Sequence, residues 1–361
     1  MTDSLYYADY LRLDRILSAQ ELQSAAAGRP MHDEMLFIIV HQAYELWFKL
    51  VLWELDAVRE IFGQEKVAES SMGRALAHLD RIIGIQDLLV RQIGVLETMT
   101  PLDFMDFRDY LFPASGFQSV QFRMLENKLG IRPADRVRVA GAPYTAALSE
   151  ADRELVEASE SEPTLFDLVC SWLERTPFLD LGEFHFWERY QTAVREMLEK
   201  DRAMIVETPN LTELEKVEQL RAFEQTFAQY EAVFDETKHK ELIVSGERRL
   251  SHRAFQAALF ISLYRDEPAL QEPFRLLELL MDIDEGFTTW RHRHAQLATR
   301  MIGRRVGTGG SAGAAYLGRS AEKSRVFTDL LNLATFLIPR SSLPPLPPEV
   351  EEKMHFRFES A

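Results

Sequence analysis

The sequence predicts an all-α protein: a large helical bundle-like domain with an appended α-hairpin. Three observations support this fold class. Long apolar and charged segments repeat with the helical period of three to four residues almost everywhere. Glycine accounts for only 17 of the 361 residues, so obligatory tight turns are few. Finally, no two neighbouring segments alternate convincingly enough to predict a pair of β-strands.

The apolar period defines the predicted helices in order along the chain. They cover residues 33–62, 72–98, 102–112, 116–129, 164–175, 183–206, 211–240, 250–264, 270–302 and 322–338. Residues 131–163 lose the period and carry Gly, Pro and acidic clusters, which predicts a connecting loop with room for one short helix.

These elements suggest four segments. Residues 1–30 form an N-terminal segment, and residues 31–182 with 241–340 form one helical domain. Residues 183–240 look like two amphipathic helices joined at "TPN", an inserted α-hairpin. Residues 341–361 begin with a proline-rich stretch that predicts an extended surface tail.

Composition excludes several classes of partner. The formal net charge of −16 argues against a nucleic-acid surface and an anionic membrane, because both need a concentrated positive patch. The single cysteine, Cys170, excludes an intrachain disulfide and suits a reducing compartment. The first residues, "MTDSLYYADYLRLD", have neither the basic n-region nor the apolar h-region that a signal peptide would show, and no segment reaches the ~18 uninterrupted apolar residues of a membrane span. We expect a cytoplasmic location.

Two histidines stand near the end of predicted helix 270–302, in "TTWRHRHAQLATRMIGRRVGTGG". His294 shares an apolar stripe with Phe287, Trp290 and Leu297, whereas His292 falls on a polar face. A histidine on such a stripe is more often a core residue with hydrogen-bonded ring nitrogens than a ligand. The stripe alone therefore leaves both interpretations of His294 open.

A second histidine strengthens the functional interpretation. Phe37, His41, Tyr44 and Phe48 step by four, three and four along predicted helix 33–62, so an imidazole again lies within an aromatic stripe. A flat aromatic cofactor or substrate between the two helices would explain both histidines. Zinc-protease HExxH and di-iron ExxH motifs are missing, but haem needs only one axial histidine in an apolar wall.

Two further features have both a functional and a structural interpretation. Arg108 lies among phenylalanines, where it would pair either with a carboxylate-bearing small molecule or with Asp103 or Asp106. The glycine loop 304–313 lacks the lysine of a phosphate-binding loop. It is either a flexible connector or a backbone that approaches a ligand closely, with the hydroxyl of Thr308 nearby.

Long motifs resemble one family. These are "YYADYLRLDRIL", "LFIIVHQAYELWFKLVLWELDAVREIF", "LDFMDFRDYLFPASGFQSVQFRMLENKLG", "LVCSWLERTP", "SGERRLSHRAFQAALFISLYRDEP" and "LLMDIDEGFTTWRHRHA". Together with "MIGRRVGTGGSAG", they closely resemble the tryptophan 2,3-dioxygenases, in the same order, from about residue 6 to 340. The resemblance implies an all-helical homotetramer whose haem pocket holds one haem b per subunit. It implies addition of O2 across the C2–C3 bond of L-tryptophan, giving N-formyl-L-kynurenine.

The resemblance also implies roles for single residues. His294 matches the axial iron ligand, His41 the distal histidine that accepts the indole N–H, and Arg108 the carboxylate clamp. Thr308 matches the residue that holds the ammonium and carboxylate end of the substrate. The remaining expected contacts are Phe37, Ile38, Ile39, Val40, Phe104 and Ser115 for the substrate, Trp290, Ser115 and Gly116 for haem, and Tyr7, Tyr10 and Leu11 from a neighbouring subunit.

Three alternatives remain open at this point. A related enzyme would oxidise a substituted tryptophan, and a haem-binding sensor would keep the fold without turnover. A haem-free helical scaffold would use both histidines as core residues. Arg108 and Thr308 favour the enzyme, because a pure haem binder has no need of an amino-acid clamp.

Overall fold

A computed structural model describes residues 4–137, 142–177, 186–303, 305, 317–318 and 323–354. Within these ranges every regular element is a helix and no β-strand occurs, which confirms the predicted all-α class. The α-helices up to residue 164 are α1 Tyr7–Leu11, α2 Leu13–Ile16, α3 Gln23–Ala26, α4 His32–Phe62, α5 Glu69–Leu96, α6 Pro101–Arg108, α7 Val120–Leu129 and α8 Glu150–Ser159.

The later α-helices include the longest of the chain. They are α9 Leu165–Glu174, α10 Phe186–Glu207, α11 Glu213–Phe234, α12 Glu236–Ser245, α13 His252–Leu263, α14 Pro268–Ile302, α15 Thr328–Asn332 and α16 Pro348–Met354. Short 3₁₀ helices occur at Asp109–Leu111, Gly116–Gln118, Pro133–Asp135, Leu333–Phe336 and Arg340–Ser342.

The single helix predicted for 211–240 is wrong, because α11 ends at Phe234 and α12 begins at Glu236. Asp235 between them has extended backbone angles, and its carboxylate accepts hydrogen bonds from the backbone N–H groups of Thr237 and Lys238. An aspartate in this position caps the N-terminus of a new helix, which favours a break over continuation.

The C-terminal predictions also need correction. The single helix predicted for 322–338 is wrong, because the described residues 324–327 are not helical and separate the helical Lys323 from the short α15, which a 3₁₀ helix follows. Residues 348–354 form α16 rather than an extended tail. Pro348 stands at its first position, where proline fits because that N–H has no helical partner, and Val350 and Met354 are buried four residues apart.

The connecting segment 131–163 contains the one short helix that its sequence allowed, α8. Ser149 caps it by accepting a hydrogen bond from the backbone N–H of Asp152. Asn127 of α7 donates to the carbonyl of Val156 at 3.0 Å and to the hydroxyl of Ser159 at 2.8 Å. These bonds fasten α8 to α7.

The chain groups into two compact units, Met1–Ala57 with His78–Thr164 and Ile283–Val326, and Val58–Ala77 with Leu165–Asp282 and Phe327–Ala361. The predicted division into one helical domain, 31–182 with 241–340, and an inserted hairpin, 183–240, stays a prediction.

In the first unit, α4, α5 and α14 approach closely. The Tyr44 hydroxyl donates to the carbonyl of Leu89 at 2.8 Å, and the Gln86 amide donates to the carbonyl of Ile283 at 2.8 Å. A Cβ placed on Gly286 would lie 2.5 Å from Oε1 of Gln86, so only glycine fits this crossing without a shift. The crossing places α14, which carries His294, against α5.

The second unit has its own aromatic core, in which Tyr190, Phe255, Phe260 and Phe336 are fully buried. Cys170 of α9 is partly buried in this unit. Burial raises the pKa of its thiol, which therefore stays protonated and behaves as a small apolar side chain.

Among the described residues, α4 is the one helix whose length and composition would allow it to cross a membrane. The core helix of a soluble protein passes the same test. In this structure α4 uses apolar side chains such as Val51 and Leu55 for the core. Its buried Glu34 accepts hydrogen bonds from the backbone N–H groups of Gln23 and Ser24.

Candidate functional site

A cavity of about 310 Å³ lies in the first unit, a volume within the range of small-molecule sites. Most of its described lining comes from α4 to α7, from α14 and from the 3₁₀ helix Gly116–Gln118, and Met99, Ser115, Ser119 and Leu317 outside these elements complete it. Most of the lining is aliphatic or aromatic. The sequence-predicted residues that line it are Phe37, His41, Phe104, Arg108, Ser115, Gly116, Trp290 and His294.

His294 presents its imidazole to this cavity from α14. Burial, followed by repulsion from His41, lowers its pKa to about 4, so the ring is neutral at pH 7. A core histidine normally has hydrogen-bonded ring nitrogens. The structure gives His294 no hydrogen-bond partner among the residues it describes, which leaves a neutral nitrogen available to a metal ion.

His41 faces the same cavity from α4. His41 has accessible surface area because its ring borders the empty cavity. Protein atoms nevertheless surround the ring closely enough to desolvate it. This burial lowers the pKa of His41 below 6.5, and the Phe37 carbonyl and the Glu45 carboxylate oppose the change only in part. His41 is therefore neutral at pH 7.

The tautomer of His41 follows from one contact. Its Nδ1 lies 2.7 Å from the carbonyl oxygen of Phe37. A carbonyl can only accept, so Nδ1 carries the proton and Nε2 of the neutral ring is a hydrogen-bond acceptor. The site therefore holds an acceptor for an N–H group at His41.

Aromatic side chains surround His41. The ring centroid of Phe37 lies 4.0 Å from that of His41, and 5.7 Å from both Phe104 and Phe107. Phe104 and Phe107 meet edge to face at 5.4 Å. Such a wall has the size and polarity to hold a flat aromatic ring.

A second aromatic group lies beside His294. The centroid of Trp290 is 5.3 Å from His294, 5.2 Å from Phe122 and 5.9 Å from Phe48. The two aromatic groups contribute to one cavity lining that contains both histidines.

Arg108 enters the cavity lining from the last residue of α6. This short helix begins with a capping box: the backbone N–H and hydroxyl of Thr100 donate to Asp103, whose own N–H donates back to the Thr100 hydroxyl. Pro101 at the first position reinforces the start. The carboxylate of Asp103, one of the two internal partners considered for Arg108, is thus engaged by Thr100.

Several predicted site residues do not join this lining. Val40 is buried elsewhere, where its carbonyl accepts a hydrogen bond from Gln92 at 2.8 Å. Ile38 and Ile39 follow Phe37 on other faces of α4 and do not border the cavity. Tyr7, Tyr10 and Leu11 belong to α1 and do not border the cavity, and Thr308 lies outside the described residues.

A buried ionic cluster in the lining was not among the sequence predictions. The carboxylate of Glu126 accepts from Arg123 at 2.8 Å, Arg136 at 2.6 Å and Arg291 at 2.9 Å. Burial raises the pKa of Glu126, but the three arginines outweigh it and leave the pKa at about 2. The sequence feature that could have predicted this cluster is an Arg–Glu pair three residues apart in the otherwise apolar pattern of "QFRMLENKL".

Comparisons with known proteins agree with the motifs. The model of the family described as "Tryptophan 2,3-dioxygenase" matches residues 1–337. A protein of that name from Bdellovibrio bacteriovorus is 49% identical over 354 residues, covering 98% of this chain and 99% of the relative. Those from Xenopus laevis and Anopheles gambiae are 48% and 46% identical, covering 97% and 99% of this chain and 86% and 91% of the relatives. The chain belongs to the tryptophan 2,3-dioxygenase family and is an oxidoreductase of tryptophan catabolism.

Proposed function

We propose that the cavity of the first unit binds haem b, one per subunit, and that His294 would hold its iron. We further propose that L-tryptophan is bound there and converted by O2 to N-formyl-L-kynurenine. The observation that carries the proposal is the neutral imidazole of His294, which faces an aromatic cavity and has no hydrogen-bond partner in the described part of the chain.

The donor chemistry of the cavity fits haem. Haem needs one axial imidazole and a large apolar surface, and most of its affinity comes from burying the macrocycle. His294 provides the imidazole. The side chains of Trp290, Leu297 and Met301 on the same helix provide part of the apolar surface. Among the described residues no group of three or more His, Cys, Asp or Glu could hold a metal ion by itself.

When bound, haem iron supplies the activation of O2, whose two atoms are added across the C2–C3 bond of the indole. The protein contributes orientation more than acid or base catalysis, because indole is already electron-rich. His41 holds the indole by accepting its N–H at Nε2. Phe37 and Phe104 flank the ring and exclude water from it.

Arg108 binds the substrate carboxylate in this proposal. A guanidinium recognises a carboxylate with two parallel hydrogen bonds, which fixes both position and orientation. The remaining expected contact, from Thr308 to the ammonium and carboxylate end, rests on the family resemblance. Contacts at the amino-acid end and at the indole N–H would together fix the orientation of the substrate in the cavity.

We also propose that the protein is a cytoplasmic homotetramer in which α1 completes a neighbour's site. Tyr7 and Tyr10 are 74% and 69% exposed in the single chain, unusual for aromatic residues. On α4, Ile39, Leu46 and Trp53 form an exposed apolar stripe with a spacing of seven residues. A second copy of this chain that packs on α1 and on the exposed stripe of α4 would remove both apolar surfaces from water.

The direct test mixes the reduced, haem-loaded protein with L-tryptophan and air and records the absorbance of N-formylkynurenine. We expect product formation, together with a Soret band that is lost in His294→Gly and restored by added imidazole. His292→Gly is the matched control, because His292 is exposed on the same helix and should keep haem and rate. Haem binding without turnover would favour a sensor, and a wild-type protein that never takes up haem would reject the proposal.

A further inference from the structure

We propose that Arg293 is a positioning residue for the substrate: its ion pair with Glu97 fixes helix α6, and through α6 the place of Arg108 in the cavity lining. This inference rests on the proposed function, in which Arg108 binds the substrate carboxylate. It gives a role to an ion pair whose two residues are not part of the described cavity lining.

The ion pair joins two segments that are far apart in the sequence. Nη2 of Arg293 lies 3.1 Å from Oε2 of Glu97. Arg293 directly precedes His294 on α14, and Glu97 directly follows α5. The two side chains are 40% and 23% exposed, and an ion pair with this exposure contributes little to the stability of a fold. What it does provide is a fixed distance between α14 and the segment that leads into α6.

The connection from Glu97 to α6 is short and held by hydrogen bonds. The backbone N–H of Glu97 donates to the carbonyl of Ile93 at 3.0 Å, and that of Met99 donates to the carbonyl of Leu96 at 3.1 Å. Thr100, three residues after Glu97, already caps α6. Because little in this connection can bend, a displacement of Glu97 would be passed on to α6.

Helix α6 has few other anchors. Of its eight residues only Phe107 is buried, and its ring centroid lies 5.7 Å from that of Phe37 on α4. A further contact comes from Arg305, whose Nη1 donates to the sulfur of Met105 at 3.2 Å, and a thioether sulfur is a weak acceptor. Phe107 therefore fixes the end of α6, and the pair at Glu97 fixes the approach to its start.

The carboxylate contact is the part of the site that should respond most to a displacement of α6. Arg108 is the last residue of this helix and borders the cavity. Paired hydrogen bonds from a guanidinium to a carboxylate need short distances and nearly linear angles, so they weaken steeply when the donor moves. Phe104 on the same helix makes apolar contacts, which are not directional and change little with a small shift.

The test measures binding of L-tryptophan and of tryptamine, which lacks the carboxylate, to the haem-loaded protein by equilibrium dialysis without O2. We expect Arg293→Met to raise Kd for L-tryptophan about two- to fivefold, the range for a partly exposed ion pair, and to leave Kd for tryptamine unchanged. In steady-state kinetics KM should rise by the same factor while kcat stays level, because a contact made equally in the ground and transition states is lost. Equal losses for the two ligands would reject the assignment to Arg108.

A double-mutant cycle tests whether the two residues act as a pair. Glu97→Gln should cause the same loss as Arg293→Met, and the double variant should lose no more than either single one. Arg293→Lys should keep most of the affinity, because one N–H···O contact is all that the ammonium group has to replace. Additive losses would mean that Arg293 and Glu97 act separately, and the inference would be wrong.

Arg300→Met is the matched control, because Arg300 is exposed on the same helix and makes no ion pair within the described part of the chain. This variant should bind both ligands as the wild-type protein does. The same loss in Arg300→Met would assign the effect to the charge of α14 instead of the pair. Thermal unfolding separates a purely structural role, which would lower Tm of Arg293→Met and leave Kd of the folded protein at the wild-type value, again contradicting the inference.

A haem titration at the Soret band completes the experiment. Arg293→Met should take up haem as tightly as the wild-type protein; a parallel loss of haem affinity would show that the substitution acts through the neighbouring His294, and not through α6. If the wild-type protein neither takes up haem nor binds L-tryptophan, the proposed function fails and this inference with it. If the wild-type protein turns over L-tryptophan and Arg293→Met binds both ligands normally, only this inference fails.

Discussion

The Nδ1 atom of His41 lies 2.7 Å from the carbonyl oxygen of Phe37, one turn earlier on the same helix. The contact assigns the ring proton to Nδ1 and leaves Nε2 as an acceptor, since a carbonyl oxygen has no proton to donate. The ring of Phe37 also packs on that of His41 with centroids 4.0 Å apart. One residue therefore sets both the tautomer and the orientation of the imidazole.

Replacing His41 with leucine removes the acceptor and keeps an apolar side chain of similar size. We expect kcat/KM for L-tryptophan to fall about five- to tenfold, the net value of one neutral hydrogen bond. For the 1-methyl analogue, which has no indole N–H, the same substitution should change kcat/KM little. Steady-state kinetics with both substrates measures the difference. Equal losses for the two substrates would show that His41 only fills space.

The pH dependence of the reaction provides a separate test of His41. Burial holds the pKa of this imidazole below its ordinary value of 6.5, so the ring is neutral at pH 7 and above. As pH falls through the lowered pKa, Nε2 gains a proton and stops accepting. We expect kcat/KM for L-tryptophan to stay level down to about pH 6.5 and to fall only below it.

The His41→Leu variant is the control for this profile, because it has no imidazole to titrate. Its profile should lack the acid decline that the wild-type protein shows. A decline of the same midpoint in both proteins would assign the titration to another group.

Much of the fold could be predicted from sequence because the helices are long and their apolar period is strong. The predicted 33–62 and 270–302 differ from α4 and α14 by at most two residues at either end. The errors fall where local capping decides the outcome. Asp235 starts a new helix inside a continuous apolar pattern, and Pro348 begins a helix where proline content had suggested an extended tail.

The site was predictable only in part, for a physical reason. Periodicity places His41 and His294 on apolar faces, but it cannot show which faces meet in space. The cluster around Glu126 joins residues of α7 and α14 with Arg136 of the segment between α7 and α8, so no local pattern contains it. The aromatic stripe of α4 likewise predicted Phe37 as a neighbour of His41, but not the bond that fixes the tautomer.

Substitution of Arg108 tests the proposed carboxylate contact. Arg108→Ala should cost roughly 2–5 kcal/mol in substrate binding, which raises KM for L-tryptophan at least about thirtyfold. The haem spectrum should not change, since Arg108 lies on α6 and His294 on α14. Tryptamine, which lacks the carboxylate, should bind the variant and the wild-type protein equally. An unchanged KM for L-tryptophan would place the carboxylate contact elsewhere.

Gly286→Ala tests the close crossing that places α14 against α5. Its Cβ would lie 2.5 Å from Oε1 and 2.7 Å from Cδ of Gln86. The Gln86 side chain is 2% exposed and donates to the carbonyl of Ile283, so it can move aside only by losing that bond. We expect a net loss of about 1–3 kcal/mol in the free energy of unfolding, despite the gain in helix propensity.

Gly84→Ala is the matched control for that substitution, because Gly84 lies on α5 two residues before Gln86 and its Cβ would meet nothing within 4 Å. Alanine there should stabilise the protein by about 0.5–1 kcal/mol, the usual gain from replacing an exposed helical glycine. Chemical unfolding of the two variants should therefore give changes of opposite sign. If Gly286→Ala were also stabilising, α14 and α5 would tolerate a wider separation than the structure shows, and haem affinity in that variant would report whether His294 had moved with them.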